Sequence, residues 1–195
     1  EQELISTFEP DFNFSEKPQN RINSIQNNNA HEVHDKVEQL SELKKKIDSI
    51  ENCNLKSNSK NLILGDGNLN SPIMLIGEAP GKEEDEAGLA FKGDVGELLK
   101  KMLLAIKIKL ENVYISYSIN YRPPEDRKPT SQEIKRYSTF LKEHISIINP
   151  KILVLMGSTA MEAVTGTNNR ISNERGNWKE IILKDRTYPI MITFS

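Results

Sequence analysis

Apolar side chains recur at steps of three and four between residues 32 and 52, which is the spacing of one face of an α-helix. They are Val33, Val37, Leu40, Leu43, Ile47 and Ile50. Such a stripe either packs on the rest of the domain or binds a partner, and packing is its commoner use. Residues 1–31 differ because they are rich in Asn, Gln, Ser and Glu and have few side chains to bury. We expect them to form a flexible polar arm.

From residue 60 onward, short apolar runs alternate with segments of helical periodicity. The runs that predict buried strands are 73–76, 113–115, 152–155, 178–183 and 188–193. The segments that predict helices are 98–106, 134–148 (preceded by the capping pair Thr130 and Glu133) and 158–164. This alternation predicts a three-layer α/β/α domain, residues 53–195, with a short, mainly parallel central sheet. Ligands of such sheets bind beyond the carboxyl ends of the strands.

Charge and composition narrow the function classes only slightly. Residues 1–59 hold 7 Lys or Arg and 11 Asp or Glu, a net charge of -4, whereas residues 60–195 hold 19 and 17, a net charge of +2. The mildly basic second part is compatible with DNA binding but is weak evidence for it. The sequence has no apolar run long enough to span a membrane. A single cysteine, Cys53, excludes an internal disulfide and suits a reducing cytoplasm.

Candidate chemistry begins where the first buried strand ends, in Gly77-Glu78-Ala79-Pro80-Gly81. A carboxylate at Glu78 would lie at the carboxyl edge of the sheet, where it can hold or activate a water molecule. The alternative is an ordinary surface carboxylate. Phe91 follows in a glycine-bounded loop, where an aromatic ring can stack on an unpaired base. Its alternative is a core plug under the loop.

Two charged segments flank these motifs. Arg122-Pro123-Pro124, with Arg127 and Lys128 just beyond, forms a stiff basic loop suited to phosphate groups. Residues 83–86 are all acidic. A metal site there is conceivable, but no His or Cys joins the run, so we expect a solvated loop.

The ordered motifs resemble the iron–sulfur (family 4) uracil-DNA glycosylases from about Cys53 to Thr193. The motifs are Gly65-Asp66-Gly67-Asn68, the IGEAPG segment at 76–81, the loop at 88–93 and RPP at 122–124. The resemblance implies base-excision repair, in which a flipped uracil is released by hydrolysis of its N-glycosidic bond in DNA. It further implies that Glu78 positions the attacking water and that Phe91 stacks on the uracil. By the same resemblance the base contacts Gly77, Ala79 and the residue at 117, and DNA contacts Pro80, Gly81, Arg122, Arg127 and Lys128.

Two of the positions that the family uses carry other residues here. Tyr117 stands where the family has the asparagine that recognises uracil, and a hydroxyl cannot supply the donor and acceptor pair of an amide. Asn120 lies three residues further along the strand and should point to the opposite face. Ser195 stands where the family has a histidine that stabilises departing uracil. The chain's own histidines, which we expect at the surface, are His31, His34 and His144.

The resemblance also implies a 4Fe–4S cluster held by four cysteines. Only Cys53 matches; the other three positions are Ile50, Tyr121 and Tyr137. One thiolate cannot hold the cluster, so we expect no cofactor and no metal. The two tyrosines would fill the vacated volume by packing.

Two hypotheses therefore remain. The first is an active or weakly active uracil-DNA glycosylase, monomeric and cytoplasmic, whose base specificity is altered through Tyr117. The second is a non-catalytic DNA-binding relative, or a remnant truncated at its C-terminal end. In either case the last strand would lack a covering helix, and we expect marginal stability.

Overall fold

A computed structural model describes residues 21–194, and their side chains from Glu32 onward. Residues 1–20 of the expected arm, the side chain of His31 and the terminal Ser195 lie outside the described residues. The chain divides into two compact units, residues 1–34 and residues 35–195. Of the first unit, the structure describes the opening turns of helix α1. All contacts described below lie within the second unit.

Helix α1 spans Arg21–Asp48, so it begins well before and ends before the predicted bounds of 32 and 52. Within the second unit, Leu40, Leu43 and Ile47 of the predicted stripe are buried, whereas Val37 is exposed. Lys36 is also buried. Its ammonium donates to the carbonyls of Leu69 and Ile148, each at 3.2 Å. The helix therefore packs on the sheet domain through both apolar burial and a satisfied cation.

Six strands form one mixed sheet in the order β1-β3-β2-β4-β6-β5. Their bounds are β1 Gly65–Gly67, β2 Ile73–Gly77, β3 Tyr114–Tyr117, β4 Ile152–Met156, β5 Trp178–Leu183 and β6 Arg186–Thr193. The inner pairs β3–β2, β2–β4 and β4–β6 are parallel, with Leu75 opposite both Ile115 and Val154. The outer pairs, β1–β3 and β5–β6, are antiparallel. The carboxyl ends of β2, β3, β4 and β6 therefore share one edge.

Helices cover the two faces of the sheet. Their bounds are α2 Asn54–Asn58, α3 Lys82–Ala87, α4 Gly93–Ala105, α5 Ser131–Ile148, α6 Ser158–Thr165 and α7 Ile171–Glu174. On one face, buried residues of α1, α5 and α6 join those of β2, β4 and β6 in one core cluster. On the other face, Leu99 and Leu103 of α4 pack on Leu75, Val113 and Ile115. This arrangement confirms the predicted three-layer fold.

The predicted capping pair of α5 forms as expected. The Thr130 hydroxyl accepts the Glu133 N–H at 3.3 Å, and the Glu133 carboxylate accepts the Thr130 N–H at 2.7 Å. In α4, by contrast, only part of the predicted apolar set is buried, because Leu98, Met102 and Ile106 are exposed. Marginal stability stays a prediction.

The sequence analysis did not predict β1 or the helices α2, α3 and α7. Strand β1 has two glycines and no apolar residue among its three positions, so no alternation marks it. Helix α3 contains the acidic run that we expected to be a solvated loop, and that expectation was wrong. Glu84 and Asp85 are buried in it.

Candidate functional site

The GEAPG segment leaves the sheet at the carboxyl end of β2, and the chain beyond β3 holds it in place. The Gly77 carbonyl accepts both the N–H and the hydroxyl of Ser118, at 2.9 and 2.8 Å. The Glu78 carbonyl accepts the N–H of Ile119 at 3.2 Å. Because these bonds fix the backbone, Glu78 has a defined position at the edge of the sheet.

The Glu78 side chain is half-buried, and its Oε2 accepts a hydrogen bond from the Thr159 hydroxyl at 2.6 Å. Thr159 is a buried residue in the first turn of α6, which follows β4 directly. A short charge-assisted bond of this kind is strong and directional. The sequence analysis missed Thr159. Its only signal was a hydroxyl residue just after a buried strand that neighbours β2.

Gly77, Phe91 and Tyr117 meet on the other side of this strand end and form what we call the aromatic slot. The rings of Phe91 and Tyr117 are stacked, with centroids 4.9 Å apart and planes 3° apart. The Phe91 N–H donates to the Tyr117 hydroxyl at 2.8 Å. A Cβ on Gly77 would come within 3.0 Å of the Phe91 ring and 3.1 Å of the Tyr117 ring, so only glycine allows both rings so close.

Tyr117 is almost completely enclosed, with 3% of its surface exposed. Burial raises the pKa of its phenol well above the ordinary value, and the nearby Glu84 carboxylate raises it further. The hydroxyl is therefore neutral at physiological pH. It makes a long contact of 3.4 Å to Glu84 Oε1.

Two carboxylates of the acidic run, Glu84 and Asp85, accept hydrogen bonds that hold the chain around the GEAPG loop. Glu84 Oε2 accepts the Gly81 N–H at 3.1 Å and so caps α3. Asp85, 2% exposed, accepts the Ser59 hydroxyl at 2.5 Å and the N–H groups of Lys60 and Asn61 at 2.9 and 3.0 Å. These carboxylates are structural. Among the described residues, no group of three or more His, Cys, Asp or Glu side chains converges as a metal site.

The GEAPG loop lines a cleft of about 290 Å³. Its lining includes Glu78, Ala79, Pro80 and Gly81, and its mouth carries both charges. The charged residues around it, besides Glu78, are Lys82, Glu83, Glu84, Lys92, Asp94, Asp126 and Arg127. Of the residues assigned to DNA by resemblance, Pro80, Gly81 and Arg127 line this cleft.

The arginines of the basic loop are engaged by acids of the same chain. Arg122 makes two bonds to Asp126, at 2.7 and 2.8 Å, and holds the pKa of that carboxyl below its usual range. Arg127 makes two bonds to Glu133, at 2.7 and 2.9 Å, and lowers the pKa of Glu133 to about 2. Lys128 is exposed. The loop is therefore stiff, and its guanidinium groups already have anionic partners.

The four positions that the resemblance matches to cluster ligands pack in one core cluster. Cys53 Sγ lies 3.3 Å from the Tyr137 hydroxyl, and the Tyr121 hydroxyl donates to Asp48 at 3.0 Å. Ile50 packs on the same core. Burial raises the pKa of both tyrosines, so neither is an anionic ligand near neutral pH. This donor set, with one thiol, does not fit a four-iron cluster.

The expectation that His144 lies at the surface was wrong. His144 is 1% exposed, with Nε2 2.9 Å from the Tyr114 hydroxyl and Nδ1 3.2 Å from the Ser116 hydroxyl. Burial lowers its pKa to about 3, so the ring is neutral. His34 is exposed. Asn120 is buried, and its amide donates to the Ile63 carbonyl at 3.0 Å rather than to the aromatic slot.

Several curated proteins with similar sequences are type-4 uracil-DNA glycosylases. The chain is 41% identical over 126 residues to the type-4 uracil-DNA glycosylase of Thermotoga maritima, covering 64% of this chain and 66% of that protein. It is 34% identical over 128 residues to the type-4 enzyme of Archaeoglobus fulgidus, covering 66% and 64%. For that of Pyrobaculum aerophilum the identity is 31% over 140 residues, covering 72% and 71%. The chain thus spans just under two thirds of the first two relatives.

The sequence profile of the uracil DNA glycosylase superfamily matches residues 64–195. This range contains the GEAPG loop, the aromatic slot and the basic loop, together with all six strands. The motif resemblance and the observed fold lead to the same assignment. The chain belongs to the uracil-DNA glycosylase superfamily.

Proposed function

We propose that the chain acts on DNA as an N-glycosylase of this superfamily, hydrolysing the bond between uracil and C1′ of deoxyribose in base-excision repair. The observation that supports this most is the Glu78 carboxylate, fixed at the strand end with one oxygen held by Thr159. The type-4 relatives are named for this activity.

In this proposal the Thr159 bond to Oε2 leaves Oε1 for a water molecule. The N1–C1′ bond breaks with its electron pair going to uracil, and the sugar becomes cation-like, as in other glycoside hydrolysis. The Glu78 carboxylate stabilises that positive charge by proximity. The water oxygen bonds to C1′, and Glu78 accepts the proton that the water loses.

The proposed partner is DNA, single- or double-stranded, and we propose that the chain acts on it as a monomer. Lys82, Lys92 and Arg127 border the cleft beside Glu78 and could contact phosphates. To do so, Arg127 would exchange Glu133 for a phosphate. Within the described residues, no helix is long and apolar enough to cross a bilayer. We place the activity in the cytoplasm, which suits an unpaired cysteine.

We also propose that the chain works without an iron–sulfur cluster. The support is the replacement of three ligand positions by Ile50, Tyr121 and Tyr137, and the hydrogen bonds that Cys53 and the tyrosines make within the chain. Packing would then stabilise the segment that a cluster would otherwise crosslink. Iron and acid-labile sulfide analysis of protein expressed with iron supplementation tests this, and about four irons per chain would refute it.

A second candidate is a DNA-binding relative without catalysis. The observation that favours it is Tyr117, which fills the space beside Phe91. The test is uracil release from an end-labelled single-stranded oligonucleotide, with enzyme in excess and long incubation. We expect slow release that Glu78→Ala abolishes. Oligonucleotide binding without release would favour the second candidate. If the chain neither binds the oligonucleotide nor releases uracil, both candidates are rejected.

A further inference from the structure

The Phe91 loop presents two groups that together suit a nucleobase. One is a flat aromatic face beside Gly77, and the other is the Phe91 backbone N–H at its edge. Phe91 has φ = 48°, in the left-handed region that a bulky residue adopts only when its surroundings impose it. A planar base with a ring carbonyl could stack on the first group and accept a hydrogen bond from the second.

Tyr117 makes both of those contacts itself. Its ring lies parallel to that of Phe91 at 4.9 Å, and its hydroxyl oxygen accepts the Phe91 N–H at 2.8 Å. The backbone of Gly77 closes against the same ring. The phenol thus occupies the slot as a carbonyl-bearing base would, and it leaves neither the aromatic face nor the N–H available.

We propose that Tyr117 is the specificity-determining gate of this site: its ring fills the nucleobase slot between Gly77 and Phe91 and excludes a flipped uracil while it stays there. The proposal rests on the proposed function, because the slot and Glu78 flank the same strand end. Uracil can bind only in the fraction of molecules whose Tyr117 has moved, and the apparent affinity falls by that fraction.

Three substitutions at this position separate the ring from the hydroxyl. Tyr117→Ala removes the ring and opens the slot, and Tyr117→Asn also supplies an amide. Tyr117→Phe keeps the ring and so keeps the slot closed. Tyr114→Leu is a matched control, since Tyr114 is equally buried on the same strand but contacts His144 instead.

Oligonucleotide binding reports whether the slot is open, and it does not require catalysis. The probe is a single-stranded oligonucleotide carrying 2′-fluoroarabino-uridine, whose fluorine resists formation of the sugar cation, compared with the same strand carrying a tetrahydrofuran abasic analogue. Wild type, Tyr117→Phe and Tyr114→Leu should bind the two strands equally. Tyr117→Ala and Tyr117→Asn should prefer the uracil strand by about tenfold, since a stacked base contributes that much. Equal binding by folded opened variants would overturn the gate.

Uracil release then distinguishes failure of the gate from failure of the proposed function. We expect release by Tyr117→Asn to exceed that of wild type by about tenfold or more. Wild-type release as fast as that of Tyr117→Asn would refute the gate and leave the glycosylase proposal standing. A preference for the uracil strand without release in any variant would support the gate and refute the glycosylase.

Hydrogen exchange provides a test that does not depend on the opened variants folding. In the wild type the Phe91 amide should exchange slowly, because it is bonded to Tyr117. In Tyr117→Phe, which is nearly isosteric, that amide should exchange about tenfold faster, as loss of one hydrogen bond predicts. An unchanged exchange rate would show that the Phe91 N–H is not bonded to the Tyr117 hydroxyl, and would overturn the placement of the phenol in the slot.

Discussion

Two groups at the end of β2 differ in whether a substrate could reach them: the Glu78 carboxylate and the aromatic slot. On one side Glu78 is half-buried, anchored by Thr159 and open to a cleft. On the other side Phe91 has its ring and its N–H taken by Tyr117. The carboxylate that would position the water is thus retained, whereas the surface that would recognise the base is occupied. Glu78 follows β2, whereas Tyr117, the residue that occupies the slot, belongs to β3, so a change at position 117 can alter the slot without replacing the carboxylate.

The largest effect should appear when both sides are changed together. In a Tyr117→Asn background that releases uracil, Glu78→Gln should lower the rate by about a hundredfold or more, because the amide cannot accept a proton from water. Single-turnover release from the labelled strand measures it. Binding of the fluorinated strand should stay within about twofold, since the slot lies on the other side of the strand end. A rate unaffected by Glu78→Gln would remove Glu78 from the mechanism.

The next effect concerns the support that both sides share. Asp85→Ala leaves the Ser59 hydroxyl and two N–H groups without their carboxylate, and the free energy of unfolding should fall by about 3 kcal/mol. Urea unfolding measures the loss. Glu83→Ala, an exposed neighbour in α3, should change stability by less than about 0.5 kcal/mol. Equal effects of the two substitutions would mean that α3 does not anchor the loop.

A pH dependence should come from the face of β3 opposite the slot. The pKa of His144 is about 3 in the folded chain and about 6.5 when unfolded, so below 6.5 the unfolded state binds more protons. Stability is fully present above pH 6.5 and falls as the pH is lowered, by about 2 kcal/mol between pH 7.5 and pH 5. Urea titrations at the two pH values measure the slope, which His144→Gln should largely remove. An undiminished slope in that variant would assign the dependence to other groups.

Most of the sheet and its main helices could be predicted because burial leaves a periodic trace. Strands β2 and β4 are continuous apolar runs, and α5 begins with the capping pair that the sequence shows. Helix α3 could not be predicted in this way. It is held by a local bond from the Gly81 N–H to Glu84 and by bonds from the distant Lys60 and Asn61 N–H groups to Asp85, none of which leaves an apolar period. The burial of His144 likewise depends on Tyr114 and Ser116, which β3 supplies from a different part of the chain.

The site was predicted in part for the same reason. Glu78 and Phe91 lie in motifs with a recognisable order along the chain, so their neighbourhood could be inferred. Tyr117 could be recognised as a replacement for an amide, but the sequence gives no register between its ring and that of Phe91. The parallel pairing sets Gly77 beside Tyr117, and the loop at 88–93 separately brings the Phe91 ring onto Tyr117. Periodicity along the chain does not predict contacts between elements that are far apart in sequence.

The smallest effect tests whether the Glu78 carboxylate is positioned by the Thr159 hydroxyl or only by the backbone. Thr159→Val keeps the shape of the side chain but removes the hydroxyl that holds Glu78 Oε2 at 2.6 Å. In the Tyr117→Asn background we expect release to slow by about tenfold, the value of one hydrogen bond to a charged group. The matched control is Thr159→Ser, which keeps the hydroxyl and should keep most of the rate. Because Thr159 touches Glu78 and not the slot, Thr159→Val should leave binding of the fluorinated strand unchanged. Weaker binding in Thr159→Val would mean that the Glu78 carboxylate and the aromatic slot are coupled. The two could then not be treated as independent parts of the site.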